Sequence, residues 1–475
     1  MRQSLLKFEV ENLGPLAAGT IDLADLTVLC GENNTGKTYL THALYALLKI
    51  VGVSVELPQF DIPTLRRTGQ LEIDLQQLVI SRAEELVAKA VNLHSSYLYG
   101  VPTMPKERLN KTRMRLHLDF DGILTRGHHE EFTFGLDRHL VSFDKPENSP
   151  ILTITTFTKE PEEAADRVPY KNLIEHIVRN ICIMPAIPFP FIVSTERTGI
   201  VVFQGELNLA QSQIMSLMGK GDAEGIRDIP TSPSEAAHMS HYTRPIRDNV
   251  DFMNSIGIRD QESELLQAYP DILDDFEDLV GGSYQRQNSA TYFVPKGHRS
   301  VRLSMSESSG VVRSLAILGF YLKHLAAPGA LLMIDEPELN LHPGNQRKLA
   351  RLLARLVKVG LRVFVTTHSD YIVKEFNTLI MWHTRQKQGQ ELPNDPRYTG
   401  ENSLDPEKVR VYLLRPHRGR KNGTGRGATA PTLCEADINA TFGIEVPSFD
   451  ETIDDMNALQ ESLYYGTSYT NKAGT

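Results

Sequence analysis

A glycine-rich loop near the start of the chain has the residue types that bind phosphate. It follows the apolar run 26–30, precedes a helical pattern from residue 39, and reads Gly31-Glu32-Asn33-Asn34-Thr35-Gly36-Lys37-Thr38. Strand, glycine loop and helix in this order are typical of a P-loop, whose backbone N–H groups surround an anion. We expect Lys37 to reach the β- and γ-phosphates of a nucleotide, and the Thr38 hydroxyl to ligate Mg²⁺. The residues expected to bind nucleotide are Gly31, Asn33, Asn34, Thr35, Gly36, Lys37 and Thr38.

Two adjacent carboxylates, Asp335 and Glu336, end the apolar run 331–334. Asp335 at the tip of such a strand would hold Mg²⁺ opposite Thr38. Glu336 would orient and polarise the attacking water, a contribution on the order of 10²- to 10⁴-fold in rate. The P-loop and this acidic strand end therefore predict nucleotide hydrolysis.

A histidine, His368, ends the next apolar run, 363–367, after one intervening helical pattern. Because parallel strands place their carboxyl ends at one edge of a sheet, we expect His368 close to the acidic pair. There its ring could donate a hydrogen bond to the γ-phosphate and report its presence or loss.

A serine-glycine segment, Ser306-Glu307-Ser308-Ser309-Gly310, precedes a helical pattern over 311–325. Ser308 or Ser309 is suited to cap that helix. A serine and a glycine at an exposed helix N-terminus also form a phosphate clamp, for which we select Ser308 and Gly310.

The elements around these motifs predict an α/β fold. Alternating residues at 6–10 and 20–23 predict a hairpin that leads into the P-loop strand, and the apolar stretch 189–194 predicts a buried strand. Strand patterns at 114–118, 131–134 and 151–154 predict an antiparallel extension, and the stretch 207–282 is mostly helical in pattern. The turn Asp119–Gly122 superficially resembles a phosphatase motif, but its neighbours alternate as in hairpins.

Composition excludes several classes of protein. The 475 residues are 41% hydrophobic and 23% charged, which is ordinary for a globular protein of two or three domains. No apolar run approaches the roughly 18 residues of a membrane span. The start of the chain lacks a signal-peptide pattern, and the three cysteines have no CxxC spacing, so we expect a cytoplasmic protein.

A formal charge of −9 argues against a generic coat for nucleic acid. Two local basic stretches leave a DNA contact open. They are Lys106, Arg108, Lys111, Arg113 and Arg115, and Arg415, Arg418, Arg420, Lys421 and Arg426.

The order of these motifs resembles the ABC-type ATPase heads of the SMC, RecF and OLD class. It is most similar to AAA-type, ABC-like ATPases of bacterial anti-phage systems, such as Septu-type and OLD-family proteins. The segments IDEPELNLHP at 334–343 and TTHSDYIV at 366–373 carry the resemblance. It implies a P-loop NTPase with an ABC-ATPase-like head, an antiparallel β lobe and a helical insertion.

The resemblance also implies a site shared between two copies of the chain. Lys37, Thr38, Asp335, Glu336 and His368 would come from one subunit, and Ser308 and Gly310 from the facing one. ATP with Mg²⁺ would join two heads in a homodimer or higher oligomer, and hydrolysis would release them. No C-terminal Toprim nuclease domain is evident, which implies a separate effector protein, a nuclease or toxin. No membrane partner is expected, because no apolar run is long enough to span a membrane.

We divide the chain accordingly into four parts. Residues 1–200 form the first part of the head, 201–282 the helical insertion, 283–415 the second part of the head, and 416–475 a C-terminal loop and capping helix. No glutamine stands clearly at the family's metal-contacting loop, and Glu196-Arg197 lie nearest to that place. The alternatives are a RecF-like DNA-binding maintenance ATPase, a nuclease in its own right, and, less well matched, a transporter ATPase.

Overall fold

The computed structural model describes residues 6–94, 111–134, 139–157, 169–204, 243–256, 261–287, 290–416, 431–439, 443–444 and 447–465. Its strands are β1 (Leu6–Leu13), β2 (Leu16–Asp22), β3 (Leu26–Gly31), β4 (Gln70–Asp74), β5 (Arg113–Leu118), β6 (His128–Phe134), β7 (His139–Lys145), β8 (Ile151–Thr156), β9 (Pro190–Val193), β10 (Gly282–Gln287), β11 (Ala290–Pro295), β12 (Leu303–Ser304), β13 (Leu331–Asp335), β14 (Arg362–Thr367), β15 (Val409–Pro416), β16 (Pro431–Glu435), β17 (Ile438–Asn439) and β18 (Gly443–Ile444). Its α-helices are α1 (Lys37–Ser54), α2 (Ile62–Thr68), α3 (Leu75–Leu78), α4 (Ala83–His94), α5 (Tyr170–Cys182), α6 (Arg197–Val202), α7 (Arg244–Ser255), α8 (Glu264–Ala268), α9 (Asp271–Val280), α10 (Gly310–His324), α11 (Pro343–Lys358), α12 (Asp370–Lys387) and α13 (Pro447–Tyr465).

One large sheet organises the fold. Its strand order is β5-β1-β2-β16-β15-β3-β14-β13-β9. From β15 to β9 neighbouring strands are parallel, whereas β5, β1 and β2 pair antiparallel at the other end. The α/β P-loop fold expected from the sequence is therefore confirmed, with an antiparallel part attached to a parallel core.

Both faces of the parallel part are buried, which explains why its strands read as continuous apolar runs. On one face, Val28, Ile334 and Val365 belong to a core shared with helices α6 to α12. On the other face, Leu29, Met333 and Phe364 pack in a second core with α1, α4 and α5. The P-loop helix α1 and the serine-glycine helix α10 thus lie on opposite faces of the sheet.

The predicted antiparallel extension is divided between two sheets. Strand β5 pairs with β1 at the edge of the large sheet. Strands β6, β7 and β8 form a separate four-stranded sheet with β4, in the order β4-β8-β7-β6. The turn Asp119–Gly122 connects these two parts: Gly122 has a left-handed backbone (φ 70°), and Asp119 accepts the Asp121 N–H at 2.9 Å. It is a tight turn, as its alternating neighbours predict.

Two later stretches position the rest of the molecule. The described part of the predicted insertion is helical, and buried residues of α8 and α9, including Leu265 and Phe276, join the core on one face of the sheet. The C-terminal part contains β16, which lies between β2 and β15 in the large sheet, so the expected loop is wrong at residues 431–435. None of the helices in the described ranges combines the length and apolar character needed to cross a bilayer.

Candidate functional site

The carboxyl ends of four parallel strands bring the predicted motifs together. The P-loop follows β3, His368 follows β14, Asp335 ends β13, and Ser194 to Arg197 follow β9. In the sheet these strands are neighbours, in the order β3-β14-β13-β9. Ligands of open α/β sheets bind outside this edge. The sheet therefore places the two halves of the predicted nucleotide site side by side, although about 300 residues separate them in the chain.

The P-loop turns sharply because two of its residues adopt left-handed backbone angles. Asn34 has φ 63° and Gly36 has φ 104°. A Cβ at Gly36 would come within 2.9 Å of the Pro15 ring, so the β1–β2 turn also requires glycine there. Glu32, Asn33 and Asn34 are exposed at the rim of the loop, whereas Thr35 and Gly36 are buried.

The side chain of Lys37 lies inside this loop. Its Nζ donates to the backbone oxygens of Gly31 (2.8 Å) and Glu32 (2.9 Å), and the residue is only 5% exposed. Thr35 Oγ1 donates to the same Glu32 oxygen at 2.8 Å. The cation thus lies among the backbone groups that would surround a phosphate, and Thr38 follows it on the first turn of α1, half-buried.

Asp335 is fully buried at the end of β13 and has one unused acceptor. Its Oδ1 accepts a hydrogen bond from Thr366 Oγ1. Its Oδ2 has no hydrogen-bond partner among the described residues and lies 4.0 Å from Nε2 of His42. His42 is itself buried, with neither ring nitrogen hydrogen-bonded in the described part of the chain. Burial lowers the pKa of His42, although the Asp335 charge opposes that shift.

Glu336 has a backbone conformation that is unusual for a residue with a side chain. Its φ is 49°, in the left-handed region that sterically disfavours non-glycine residues. The Glu336 N–H donates to Thr366 Oγ1 at 3.0 Å, so one threonine contacts both acidic residues. The carboxylate is 21% exposed, and its Oε1 lies 3.6 Å from Nδ1 of His368.

A second glutamate, Glu338, connects this loop to the end of β14. Its Oε1 accepts the Thr367 hydroxyl (2.9 Å) and the His368 backbone N–H (2.8 Å), and lies 3.2 Å from the His368 ring. Its Oε2 has no partner among the described residues. Burial raises the pKa of Glu338, and the hydrogen bond from the His368 backbone N–H opposes this shift. The His368 ring remains 41% exposed, so it can face a ligand.

Arg197 lies inside the protein at the start of α6. Its Nη1 donates to the backbone oxygens of Ser194 (3.0 Å) and Asp335 (2.8 Å), and Nη2 donates to that of Glu336 (2.6 Å). Burial lowers the pKa of Arg197 to about 10, and four nearby carboxyl groups oppose the shift. The guanidinium is therefore charged at neutral pH. It contacts the backbone oxygens of the acidic residues and not the carboxylates that could hold a metal ion.

The serine-glycine segment begins helix α10. Ser309, which is exposed, is the N-cap and accepts the Val312 N–H at 3.4 Å. Ser308 is 5% exposed, and its hydroxyl donates to the Ser304 oxygen at 2.7 Å. Gly310 is packed against Asn340 of the loop after β13, since a Cβ there would lie 3.3 Å from the Asn340 Cβ. The hydroxyl available at this helix end is therefore that of Ser309.

Sequence reasoning missed four groups at this edge: His42, Glu338, Thr366 and the inward orientation of Arg197. For His42 the sequence contains one indication: it follows Thr38 by four residues, so both lie on the same face of α1. Glu338 contacts residues at the end of β14, and Arg197 contacts the backbone at the end of β13, so no local pattern in the sequence indicates these contacts.

Two family profiles match separate segments of the chain. Residues 4–111 match the family described as "AAA ATPase domain". Residues 224–374 match the family described as "AAA domain, putative AbiEii toxin, Type IV TA system". The first segment contains the P-loop, and the second contains Gly310, Asp335, Glu336 and His368.

Solved structures with a similar arrangement are SMC heads. An SMC head bound to the C-terminal winged-helix domain of ScpA is 9% identical, covers 90% of this chain and 96% of its own, and has a TM-score of 0.36. The SMC head with an extended coiled coil from Pyrococcus furiosus, bound to the C-terminal domain of ScpA, is 11% identical (96% and 98% covered, TM-score 0.35). The SMC head from Thermotoga maritima is 11% identical (91% and 98% covered, TM-score 0.28).

No curated protein matches the chain. Both matched family profiles describe AAA domains, and the sheet topology is that of a P-loop fold. Two segments of the chain are thus similar to AAA ATPase domains, and the chain has an α/β P-loop fold.

Proposed function

We propose that this protein binds ATP with Mg²⁺ and hydrolyses it to ADP and phosphate, and that this cycle is a molecular switch. One observation carries the proposal. The phosphate-binding loop, the buried Asp335, the strained Glu336 and the half-exposed His368 meet at one edge of the parallel sheet. Each group has the chemistry that phosphoryl transfer to water requires.

Mg²⁺ fits the donors available beside the P-loop. Hard oxygen ligands suit this ion, which is usually held by one or two protein oxygens together with phosphates and waters. Thr38 offers a hydroxyl, and Asp335 offers a buried Oδ2 that has no partner among the described residues. When bound, the ion supplies positive charge that offsets the charge on the phosphate oxygens.

Glu336 and His368 are the candidates for contact with the reacting atoms. Glu336 would accept a proton from water as the water oxygen bonds to the γ-phosphorus and the bond to the β–γ bridging oxygen breaks, leaving ADP. His368, 3.6 Å from Glu336, would donate a hydrogen bond to the γ-phosphate. Lys37 would offset the negative charge of the β- and γ-phosphates.

We further propose that two copies share each nucleotide, as the resemblance to ABC-type heads implies. The sequence predicts that Ser308 and Gly310 make the contact across the interface. Because Ser308 is buried and donates to Ser304, we assign the contact to Gly310 and the exposed Ser309. Helix α10 would present its N-terminus, the positive end of its dipole, to the γ-phosphate of the facing copy.

For the biological role we propose phage defence in the cytoplasm, with the ATP switch controlling a separate effector, a nuclease or toxin. Support comes from the motif order and from the family matched by residues 224–374, whose description names a toxin of a type IV toxin–antitoxin system. The switch and the effector would then be separate proteins.

A RecF-like DNA-binding ATPase is the alternative, and the first basic stretch supports it weakly. On β5, Arg115 and His117 lie 3.7 Å and 3.8 Å from the same Glu9 carboxylate, and Arg113 is in register with Glu11. Within the described part of this stretch, the charge of Arg115 is therefore partly offset by Glu9, and Lys106 and Arg108 lie outside the described residues. The second stretch lies outside the described residues, except for Arg415. A steep fall of DNA affinity with salt would favour the alternative.

Phosphate release by the purified protein tests the proposal. The wild-type protein should hydrolyse ATP only when Mg²⁺ is present. The Glu336→Gln variant should bind ATP, remain associated, and release phosphate on the order of 10²- to 10⁴-fold more slowly. Unchanged turnover in that variant would remove Glu336 from the mechanism, and metal-dependent DNA cleavage by the purified chain would favour a nuclease.

A further inference from the structure

The backbone of Glu336 is held in its strained conformation from both sides. Thr366 accepts the Glu336 N–H, at 3.0 Å, and Arg197 donates to the Glu336 carbonyl, at 2.6 Å. A residue with a side chain keeps a left-handed φ only where its surroundings impose it. Without Arg197, the Glu336 peptide group would lose one of these two contacts and could relax toward an ordinary backbone angle.

Arg197 contacts consecutive peptide groups. Its Nη1 donates to the Asp335 oxygen at 2.8 Å, and its Nη2 donates to Glu336. The guanidinium is 2% exposed, and its planar fork holds both donors in fixed directions. The carboxylates themselves are not its partners, so their oxygens stay available for metal and water.

The same arginine is connected to helix α7. Nη1 of Arg197 also donates to the Ser194 carbonyl at 3.0 Å, while the Ser194 N–H donates to Oδ1 of Asn249 at 3.1 Å. Asn249, buried on α7, donates through Nδ2 to the Ile192 oxygen at 2.5 Å. Its amide thus pairs with the free edge of β9 as a neighbouring strand would. One chain of hydrogen bonds joins α7 to the Glu336 backbone.

From these contacts we propose that Arg197 is the positioning residue for Glu336, and that Asn249 makes the position of α7 a regulator of hydrolysis. The inference rests on the proposed ATPase function and adds how that site is controlled. Helix α7 follows the segment 205–242. A shift of α7 would move Ser194 and Arg197 and rotate Glu336 away from the position in which it orients the attacking water. The P-loop takes no part in this chain of contacts, so nucleotide affinity would be unaffected.

Paired measurements of turnover and nucleotide affinity test the inference. Arg197→Ala should lower turnover on the order of 10²-fold, as expected when a reacting group is displaced by about 1 Å, with nucleotide affinity kept within about twofold. Arg197→Lys retains one donor and should restore part of the loss. Asn249→Ala should lower turnover by a smaller factor, about tenfold, again without weakening nucleotide binding.

A matched control separates positioning from general loss of structure. Arg179, which is partly buried, likewise donates to a backbone oxygen, that of Val55, at 3.1 Å and 3.3 Å, away from this site. Arg179→Lys should leave turnover unchanged. If Arg197→Ala does not fold, the lysine variant still distinguishes the two roles, because only a positioning role predicts a change in turnover at constant nucleotide affinity.

A double variant gives the sharpest readout. In a Glu336→Gln background, single-turnover measurements should show little further effect of Arg197→Lys, since the oriented carboxylate is already lost. Equal losses in both backgrounds, or a parallel loss of nucleotide affinity, would overturn the assignment of Arg197. A fully active Asn249→Ala variant would show that α7 has no role in positioning Glu336. A wild-type protein that binds no ATP would instead overturn the proposed function itself.

Discussion

His42 and Asp335 face each other inside the protein, with Nε2 of the imidazole 4.0 Å from Oδ2 of the carboxylate. Neither atom has a hydrogen-bond partner in the described ranges. One residue belongs to the helix that follows the P-loop and the other to the acidic strand. Buried polar atoms are ordinarily paired, so two unpaired atoms facing one another indicate a place for a ligand or water. This pair is where the two halves of the proposed nucleotide site meet.

The pair predicts a specific pH dependence of stability. Burial lowers the pKa of His42 below the value of about 6.5 that the ring has in the unfolded chain. As the pH falls, the unfolded chain therefore binds the proton first, and the free energy of unfolding decreases below about pH 6.5 until the folded-state pKa is reached. The free energy of unfolding should therefore be lower at about pH 5.5 than at about pH 7.5.

Denaturant unfolding at the two pH values measures this contribution. His42→Gln should lose it, so that stability falls less with acid in the variant than in the wild-type protein. His298→Gln, in the exposed segment between β11 and β12, is the control and should keep the wild-type pH dependence. An identical acid dependence in wild-type and His42→Gln proteins would show that the imidazole is not held neutral.

A mixing experiment tests whether two copies share each nucleotide. Lys37→Ala should disable the P-loop half of a site, and Ser309→Ala the half offered by the facing copy. In a mixed dimer both defects fall in one site and the other site is intact. Mixing two inactive variants should therefore restore turnover, up to about a quarter of the wild-type rate if the copies associate at random.

Helix capping provides the control for that experiment. Because Ser309 also caps α10, Ser309→Ala should cost about 1 kcal/mol of stability. Aspartate also caps helices, so Ser309→Asp should keep the stability of the protein. Its negative charge would face the γ-phosphate, so this variant should still lose turnover. If mixing restores nothing while both variants are folded and dimeric, each copy hydrolyses ATP alone.

A buried glutamate holds the helices behind the acidic strand. Glu375 of α12 is 1% exposed and pairs with Arg351 and, at 2.6 Å, with Arg347, both on α11. Glu375→Gln leaves these guanidinium groups without a counter-charge and should destabilise the protein by about 3 kcal/mol. The exposed pair of Arg410 and Glu435 is the control: Glu435→Gln should change stability by less than about 1 kcal/mol. Equal losses of stability for Glu375→Gln and Glu435→Gln in chemical denaturation would contradict a stabilising role of the buried Glu375.

The motifs at the sheet edge could be predicted because parallel strands end together. Three apolar runs, 26–30, 331–334 and 363–367, each end in residues with chemical function, and the structure places all three as neighbours. The P-loop helix, the helix before β14 and the hairpin β1–β2 also follow from local periodicity and turn residues.

Other features depend on contacts that are distant in sequence. The place of strand β15 beside β3 depends on such contacts, and β16 is a short strand that only its neighbours stabilise. β7, which joins the separate sheet through β6 and β8, carried no clear alternation. Likewise, Ser308 and Ser309 are equivalent as caps in the sequence, and the Ser304 carbonyl decides which of them is buried.

The affinity for ATP with and without Mg²⁺ tests the central claim most directly, because it asks whether Lys37 and Asp335 serve one site. In the wild-type protein Mg²⁺ should tighten ATP binding. Asp335→Asn should abolish this tightening and keep the metal-free affinity, whereas Lys37→Ala should weaken binding about 10- to 100-fold in both conditions, as the loss of a charge-assisted phosphate contact predicts. If Asp335→Asn responds to Mg²⁺ as the wild-type protein does, the P-loop and the acidic strand do not form a common site.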